Sequence, residues 1–123
     1  MANQQDAPVV RIRIVFDDAE MFGPGKAELL DRIARTGSIA AAGREMGMSY
    51  RRAWTLVETL NAMFNAPLVV SSRGGKGVGG AVLSSTGVEV LGLYREFETL
   101  AATAGQDQLV RMKALMRNMS EGE

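Results

Sequence analysis

Neither cysteine nor histidine occurs among the 123 residues of the chain. Their absence excludes disulfides, thiolate nucleophiles, zinc sites built from these residues and every catalytic triad that depends on histidine. The other residue types present no recognisable set of base, nucleophile and metal ligands. We therefore expect a protein that is not an enzyme and that holds no metal or other cofactor.

Long apolar runs and an excess of positive charge are missing as well. No stretch approaches the ~18 apolar residues that a membrane span requires, and the N-terminus lacks the basic start and apolar run of a signal peptide. Together with the chain length, these absences predict a single cytoplasmic domain over residues 1–123. Basic and acidic side chains number 14 each, so no global positive field indicates nucleic acid.

Apolar spacing predicts three helices in the first half of the chain. Residues 26–37 carry one apolar stripe that stops at a glycine, and its members are Leu29, Leu30, Ile33 and Ala34. Ser38 is a typical N-cap for a short helix over residues 39–47, and Ser49 for a longer one over residues 50–64. A short helix, a three-residue connection and a longer helix with a basic first turn are typical of a helix-turn-helix.

Two β-rich segments flank this helical region. Residues 9–16 alternate apolar and polar side chains, which predicts a half-buried strand, and residues 17–25 are predicted to form a polar turn. Residues 74–80 contain five glycines between two apolar, β-rich runs. A flexible linker would lack such flanks, and a Walker-type phosphate loop would need Gly-Lys-Ser/Thr before a helix. The glycines therefore predict the tip of a β-hairpin, which is a wing when it follows a helix-turn-helix.

Helical periodicity resumes at about residue 86 and continues to about residue 120, with an interruption at Gly105. The apolar stripe on this segment is too long for so small a core to cover. We therefore predict that it forms a dimer interface, with these members: Leu93, Tyr94, Phe97, Leu100 and Ala104.

The residues of the predicted motif resemble a known family. The segment GSIAAAGREMGMSYRRAW, followed by GGKGVGGAVLSSTG, is similar to the N-terminal winged helix of the ModE-type molybdate-responsive regulators, which are related to the DNA-binding domain of LysR-type regulators. The likeness covers about residues 25–100. It implies a winged helix-turn-helix in which the leading strand lies beside the wing hairpin as a third strand. Together with the helical periodicity from about residue 86, this predicts a fold that is mainly α with a small β-sheet, a winged helix-turn-helix with a long C-terminal helix.

The resemblance also carries expectations about function. It implies a dimeric transcriptional regulator of double-stranded DNA, whose second motif helix enters the major groove while the wing contacts the phosphate backbone. Full-length members carry oxyanion-binding domains after the winged helix, and this chain ends at Glu123 without them. Molybdate binding is therefore not expected here.

The candidate DNA contacts lie where positive charge is locally in excess, since residues 44–80 carry five basic and two acidic side chains. Guanidinium groups suit both guanine and phosphate. The predicted contacts are Ser49, Tyr50, Arg51, Arg52 and Thr55 on the third helix, and Arg73 and Lys76 on the wing. Trp54, at the edge of the apolar stripe, is expected to be partly buried. The balanced overall charge leaves an alternative open: a winged-helix interaction module that modulates a full-length relative without binding DNA.

Overall fold

The computed structural model describes residues 8–17, 20–73 and 79–117. Within these ranges the fold is mainly α with two small antiparallel sheets, which confirms the predicted class. The elements in chain order are β1 (Ile14–Val15), β2 (Met21–Phe22), α1 (Pro24–Thr36), α2 (Ile39–Glu45), α3 (Tyr50–Met63), β3 (Val69–Arg73), β4 (Gly79–Leu83), α4 (Ser85–Ala104) and α5 (Gln106–Ala114). None of the described helices is both long and apolar enough to cross a membrane.

Serine residues cap the N-termini of three helices. The Ser38 hydroxyl accepts a hydrogen bond from the Ala41 amide at 3.0 Å, and the Ser49 hydroxyl accepts one from the Arg52 amide at 3.1 Å. Both predicted caps are therefore confirmed. Helix α4 is capped in the same way by Ser84, so it starts one residue earlier than the sequence pattern predicts.

The core lies between α1, α2 and α3 and extends to α4. Leu29, Leu30 and Ile33 of α1 are completely buried, as predicted. Ala34 is exposed instead, and the buried alanine of this helix is Ala27, so the apolar stripe is rotated toward the start of α1. Helix α3 presents Ala53, Val57 and Leu60 to the same core.

The N-terminal strand is shorter than predicted and has a different partner. Strand β1 pairs with β2, with Ile14 opposite Phe22, so residues 17–25 contain a strand and the start of α1 rather than only a turn. Among the described residues β3 pairs only with β4, so the expectation of a third strand beside the wing hairpin is wrong. Burial explains the difference: Phe22 is 2% exposed and packs edge-on against Tyr94, whereas a polar turn would leave its ring in water.

Hydrogen bonds join the wing hairpin to the helices at the start of β3 and at the middle of β4. The Asn61 side chain of α3 accepts hydrogen bonds from the Leu68 and Val69 amides at 2.8 and 3.0 Å and donates one to the Val69 carbonyl at 3.1 Å. On β4 the Ala81 amide donates to the carbonyl of Gly37, in the two-residue connection between α1 and α2, at 3.0 Å. The hairpin is therefore held against the helix-turn-helix through its backbone.

The C-terminal region consists of a long helix followed by a shorter one. Helix α4 ends at Ala104, Gly105 is the residue between the helices, and α5 follows from Gln106. No residue of α5 is buried. The sequence pattern therefore locates the interruption correctly: the 20-residue α4 is the long helix, and a shorter helix follows the break.

Candidate nucleic-acid interface

The turn between α2 and α3 depends on two glycines. A Cβ on Gly43 would lie 2.9 Å from the Cβ of Ala53, which is closer than real side chains approach, so glycine is required where the two helices meet. Gly47 has a φ of 73°, a left-handed conformation that glycine adopts without strain. The Met48 amide then donates to the Gly43 carbonyl at 2.9 Å and closes the turn. The predicted helix-turn-helix is therefore present.

Helix α3 has one buried face and one exposed face. Opposite Ala53 and Val57, the side chains of Arg51, Thr55 and Glu58 are exposed. The Thr55 hydroxyl donates to the Arg51 carbonyl at 3.0 Å, and its oxygen retains acceptor capacity. The first two turns of α3 therefore present a polar, partly cationic ridge to solvent.

The positive charges at the start of α3 are not paired with acidic side chains of the described residues. Arg51 and Arg52 form no ion pair with any residue in the described ranges. On α1, by contrast, Arg35 and Arg32 donate to Glu45 at 2.5 and 2.8 Å. These hydrogen bonds, that from Arg35 first, hold the pKa of the Glu45 carboxyl below its ordinary value. Glu45, the one acidic residue of α2, is thus paired with arginines of α1, and the positive charge at the start of α3 remains available to a ligand.

Two aromatic rings flank the ridge on the side of the wing. Tyr50 and Trp54 are one helical turn apart, with ring centroids at 6.2 Å and an interplanar angle of 84°. Trp54 is 39% exposed, in agreement with the expected partial burial. Both rings line a cleft of about 210 Å³ that is bounded by Ser38 at the start of α2 and by Ser71 of the wing. This cleft separates α3 from the wing.

The predicted wing residues are only partly described. Arg73 is the last residue of β3, opposite Gly79 in the hairpin register, and Lys76 lies outside the described residues. Closer to the helices, a Cβ on Gly80 would lie 2.4 Å from the Ser72 hydroxyl and 3.2 Å from the Gly37 carbonyl. The hairpin thus crosses the loop before α2 at backbone contact distance.

A second basic cluster lies on the other side of α3. Arg13, Lys26 and Arg52 line a groove of about 310 Å³ between the start of α1, the helix-turn-helix connection and α3. Sequence reasoning identified Arg52 alone, because Arg13 and Lys26 come from separate elements and no spacing rule connects them. The alternation in residues 9–16, which places Arg13 on the solvent side of the strand, was the one available signal.

The predicted dimer residues divide into two groups. Leu93 and Phe97 are 57% and 46% exposed, and Leu100 and Ala104 are exposed as well. Tyr94 is 3% exposed, and its hydroxyl donates to the Ile12 carbonyl at 2.5 Å, so it belongs to the core of its own domain and its assignment to a dimer interface is corrected. Burial raises the pKa of this hydroxyl, which fits its role as a neutral donor.

An apolar groove adjoins the exposed part of this stripe. It measures about 430 Å³ and lies between α4 and the β1–β2 hairpin, where Phe16 and Phe64 line it together with Leu93 and Phe97. Within the described residues there is no group of three or more His, Cys, Asp or Glu side chains that could hold a metal. The apolar groove and the cationic ridge are the two surfaces on which the predicted residues converge.

Known proteins match this chain in the region of the helix-turn-helix and the wing. The family model for bacterial regulatory helix-turn-helix proteins of the lysR family matches residues 25–87. The molybdenum-pterin-binding protein MopB of Rhodobacter capsulatus is 45% identical over 77 residues, which is 63% of this chain and 28% of that protein. The molybdenum transport protein ModE of Herbaspirillum seropedicae is 37% identical over 109 residues, or 76% of this chain and 40% of that protein.

A third relative carries a more explicit description. The DNA-binding transcriptional dual regulator ModE of Escherichia coli K12 is 39% identical over 71 residues, or 58% of this chain and 27% of that protein. These matches confirm the resemblance to ModE-type regulators. The chain spans between about a quarter and two fifths of the length of these curated relatives.

Proposed function

Because the chain belongs to the lysR family of bacterial regulatory helix-turn-helix proteins, we propose that it is a sequence-specific DNA-binding transcriptional regulator that acts as a homodimer in the cytoplasm. The observation that carries this proposal is the exposed start of α3, where the side chains of Arg51 and Arg52 form no ion pair in the described part of the chain and the wing lies alongside. We do not extend the molybdenum binding in the relatives' names to this chain, because it spans less than half of those proteins.

In the proposed complex α3 lies in the major groove of double-stranded DNA. This groove is about 12 Å wide and admits one helix, so the ridge of Arg51 and Thr55 faces the base edges. Ser49 and Tyr50 at the start of the helix, and Arg73 and Lys76 of the wing, contact the sugar-phosphate backbone and fix the position of α3. Direct base contacts then come from few side chains, as is usual for this motif.

Replacing Arg51 with alanine tests base recognition. If Arg51 binds a base edge, Arg51→Ala should cost about 1–3 kcal/mol of binding free energy on the preferred site and less on random DNA. The preferred site is obtained by selecting bound duplexes from a random-sequence library, and affinities are measured by retardation assay. Arg52→Ala is treated in the same way, and Arg111→Ala in α5 is the matched control because it removes the same charge from an exposed helix distant in sequence.

Equal losses on both kinds of DNA would reassign that arginine to a phosphate contact. A wild-type protein that shifts no duplex at low salt would overturn the proposal as a whole. That result would favour the alternative function, an interaction module that modulates a full-length relative.

Replacing both wing cations tests the backbone contact. Each phosphate contact releases counterions, so Arg73→Ala combined with Lys76→Ala should reduce the slope of log K against log salt by ~1 per lost contact. The affinity should fall about equally on selected and random duplexes, because phosphates carry no sequence information. An unchanged slope would contradict the wing contact.

A further inference from the structure

The groove that contains Arg13, Lys26 and Arg52 has a cationic rim and an apolar floor. Met46 and Met48 of the helix-turn-helix connection and Leu56 of α3 form the floor. The volume is about 310 Å³, and no acidic residue occurs among the described residues that line it. A ligand that fits this groove therefore combines negative charge with an apolar surface.

The three cations are available to such a ligand. Arg13 and Arg52 are exposed, and neither forms an ion pair within the described ranges. Lys26 is half-buried and donates to the Met21 carbonyl at 2.6 Å, which fixes the ammonium group without neutralising it. The absence of a paired carboxylate contrasts with Arg32 and Arg35 of α1, which share Glu45.

The position of the groove relative to α3 indicates which ligand it takes. Tyr50 and Trp54 face the cleft beside the wing, whereas Arg52 and Leu56 line the groove on the other flank of the same helix. Arg51 and Thr55 lie between these two flanks. A helix in the major groove of B-DNA has a phosphate backbone on each side, and the wing accounts for only one of them.

We infer that the groove of Arg13, Lys26 and Arg52 binds the phosphate backbone of the DNA strand on the side of α3 away from the wing. A phosphodiester chain matches both parts of the groove, since its phosphates pair with the cations and its deoxyribose carbons pack on methionine and leucine. The flexible methionine side chains adapt to such an irregular surface. This inference rests on the proposed DNA binding and adds a second backbone contact to it.

The test replaces the two cations that belong to neither the helix-turn-helix nor the wing. Arg13→Gln and Lys26→Gln, singly and together, are compared with wild type on the selected duplex and on a random duplex over a range of potassium chloride concentrations. Both copies of the proposed dimer carry the substitutions, so the double variant should reduce the slope of log K against log salt by ~4. Each single variant should reduce it by ~2 and weaken binding roughly 60-fold at 0.1 M salt on both duplexes.

Two controls separate this effect from charge loss and misfolding. Arg11→Gln changes the same charge two residues from Arg13, is exposed, and does not line the groove, so its salt slope should equal that of wild type. Circular dichroism melting identifies any variant that fails to fold. If Lys26→Gln loses its hydrogen bond to Met21 and unfolds, Arg13→Gln alone still tests the inference, with an expected slope change of ~2 for the proposed dimer.

The experiments distinguish a failure of this second backbone contact from a failure of the proposed DNA binding. Ethylation interference on the selected duplex should show essential phosphates on both sides of each major groove, and those on the side away from the wing should be lost with the double variant. Wild-type binding with an unchanged slope in the Arg13 and Lys26 variants would overturn this inference and leave the proposed function standing. Absence of wild-type binding would instead overturn both.

Discussion

Placing glutamate at both Leu93 and Phe97 is expected to produce a folded monomer whose affinity for a two-half-site duplex is about 100-fold lower than that of wild type. The two side chains are 57% and 46% exposed and border the apolar groove of α4 and the β1–β2 hairpin. Leaving such side chains in water forgoes on the order of 1.5–3 kcal/mol each, and a second copy of the chain is the partner that we propose to cover them.

The loss of DNA affinity follows from the geometry of two joined modules. A dimer holds two recognition helices at the spacing of successive major grooves, so binding of the second half-site is effectively intramolecular. A monomer has only the contacts of one module and binds as a single half-site. The oligomeric state and the affinity should therefore change together.

The measurements are light scattering at tens of micromolar, circular dichroism and a retardation assay. Val88→Glu is the matched control, because Val88 is 60% exposed on α4 and helical spacing places it away from Leu93 and Phe97. A wild-type protein that is monomeric at this concentration would refute the proposed dimer. Tyr94 is not part of the test, since its ring lies in the core and its substitution would unfold the domain.

Gly87→Ala is expected to destabilise the fold by about 3 kcal/mol. A Cβ at this position would lie 2.2 Å from the carbonyl oxygen and 3.0 Å from the carbonyl carbon of Leu68, and a backbone group cannot move aside as a side chain does. The approach is fixed by two further bonds: the Ser84 amide donates to the Leu68 carbonyl at 2.8 Å, and the Ser84 hydroxyl donates to the Pro67 carbonyl at 2.6 Å.

The same helix offers a control for the glycine substitution. A Cβ on Gly92 would meet no neighbouring atom within 4 Å, so Gly92→Ala should leave the packing unchanged and raise stability by up to about 1 kcal/mol through helix propensity. Urea unfolding at one fixed protein concentration measures both variants, because association would otherwise shift the apparent stability. Similar stabilities for the two variants would mean that α4 and the residue before β3, Leu68, can separate at Gly87 at no cost.

The sequence predicts most of the helical architecture because its signals are local. Ser38 and Ser49 each precede a helical pattern, and hydrogen bonds from nearby amides to their hydroxyls require no distant partner. The glycine connection of the helix-turn-helix is equally local. These features bring Arg51 and Thr55 to the exposed face of α3, so the proposed DNA-binding ridge could be derived from the sequence alone.

Features that depend on distant contacts could not be predicted in this way. Phe22 is surrounded by turn-forming residues, and its burial depends on Tyr94, which is 72 positions further along the chain. Asn61 looks like an ordinary polar residue near a helix end, although it satisfies the backbone of β3. The joint groove of Arg13, Lys26 and Arg52 arises only when three elements meet, and the sequence pattern carries no information about that meeting.

The hydrogen bond from Ala81 to Gly37 affects the spacing between the contacts that one copy of the chain is proposed to make with a DNA half-site. It ties the wing to the residue immediately before the Ser38 cap of α2, and Asn61 ties the other wing strand to α3. These hydrogen bonds therefore fix the distance between α3, the proposed recognition helix, and the strands of the wing. In the proposed dimer, differences in spacing between operators would then be absorbed between the two copies of the chain and not inside either copy.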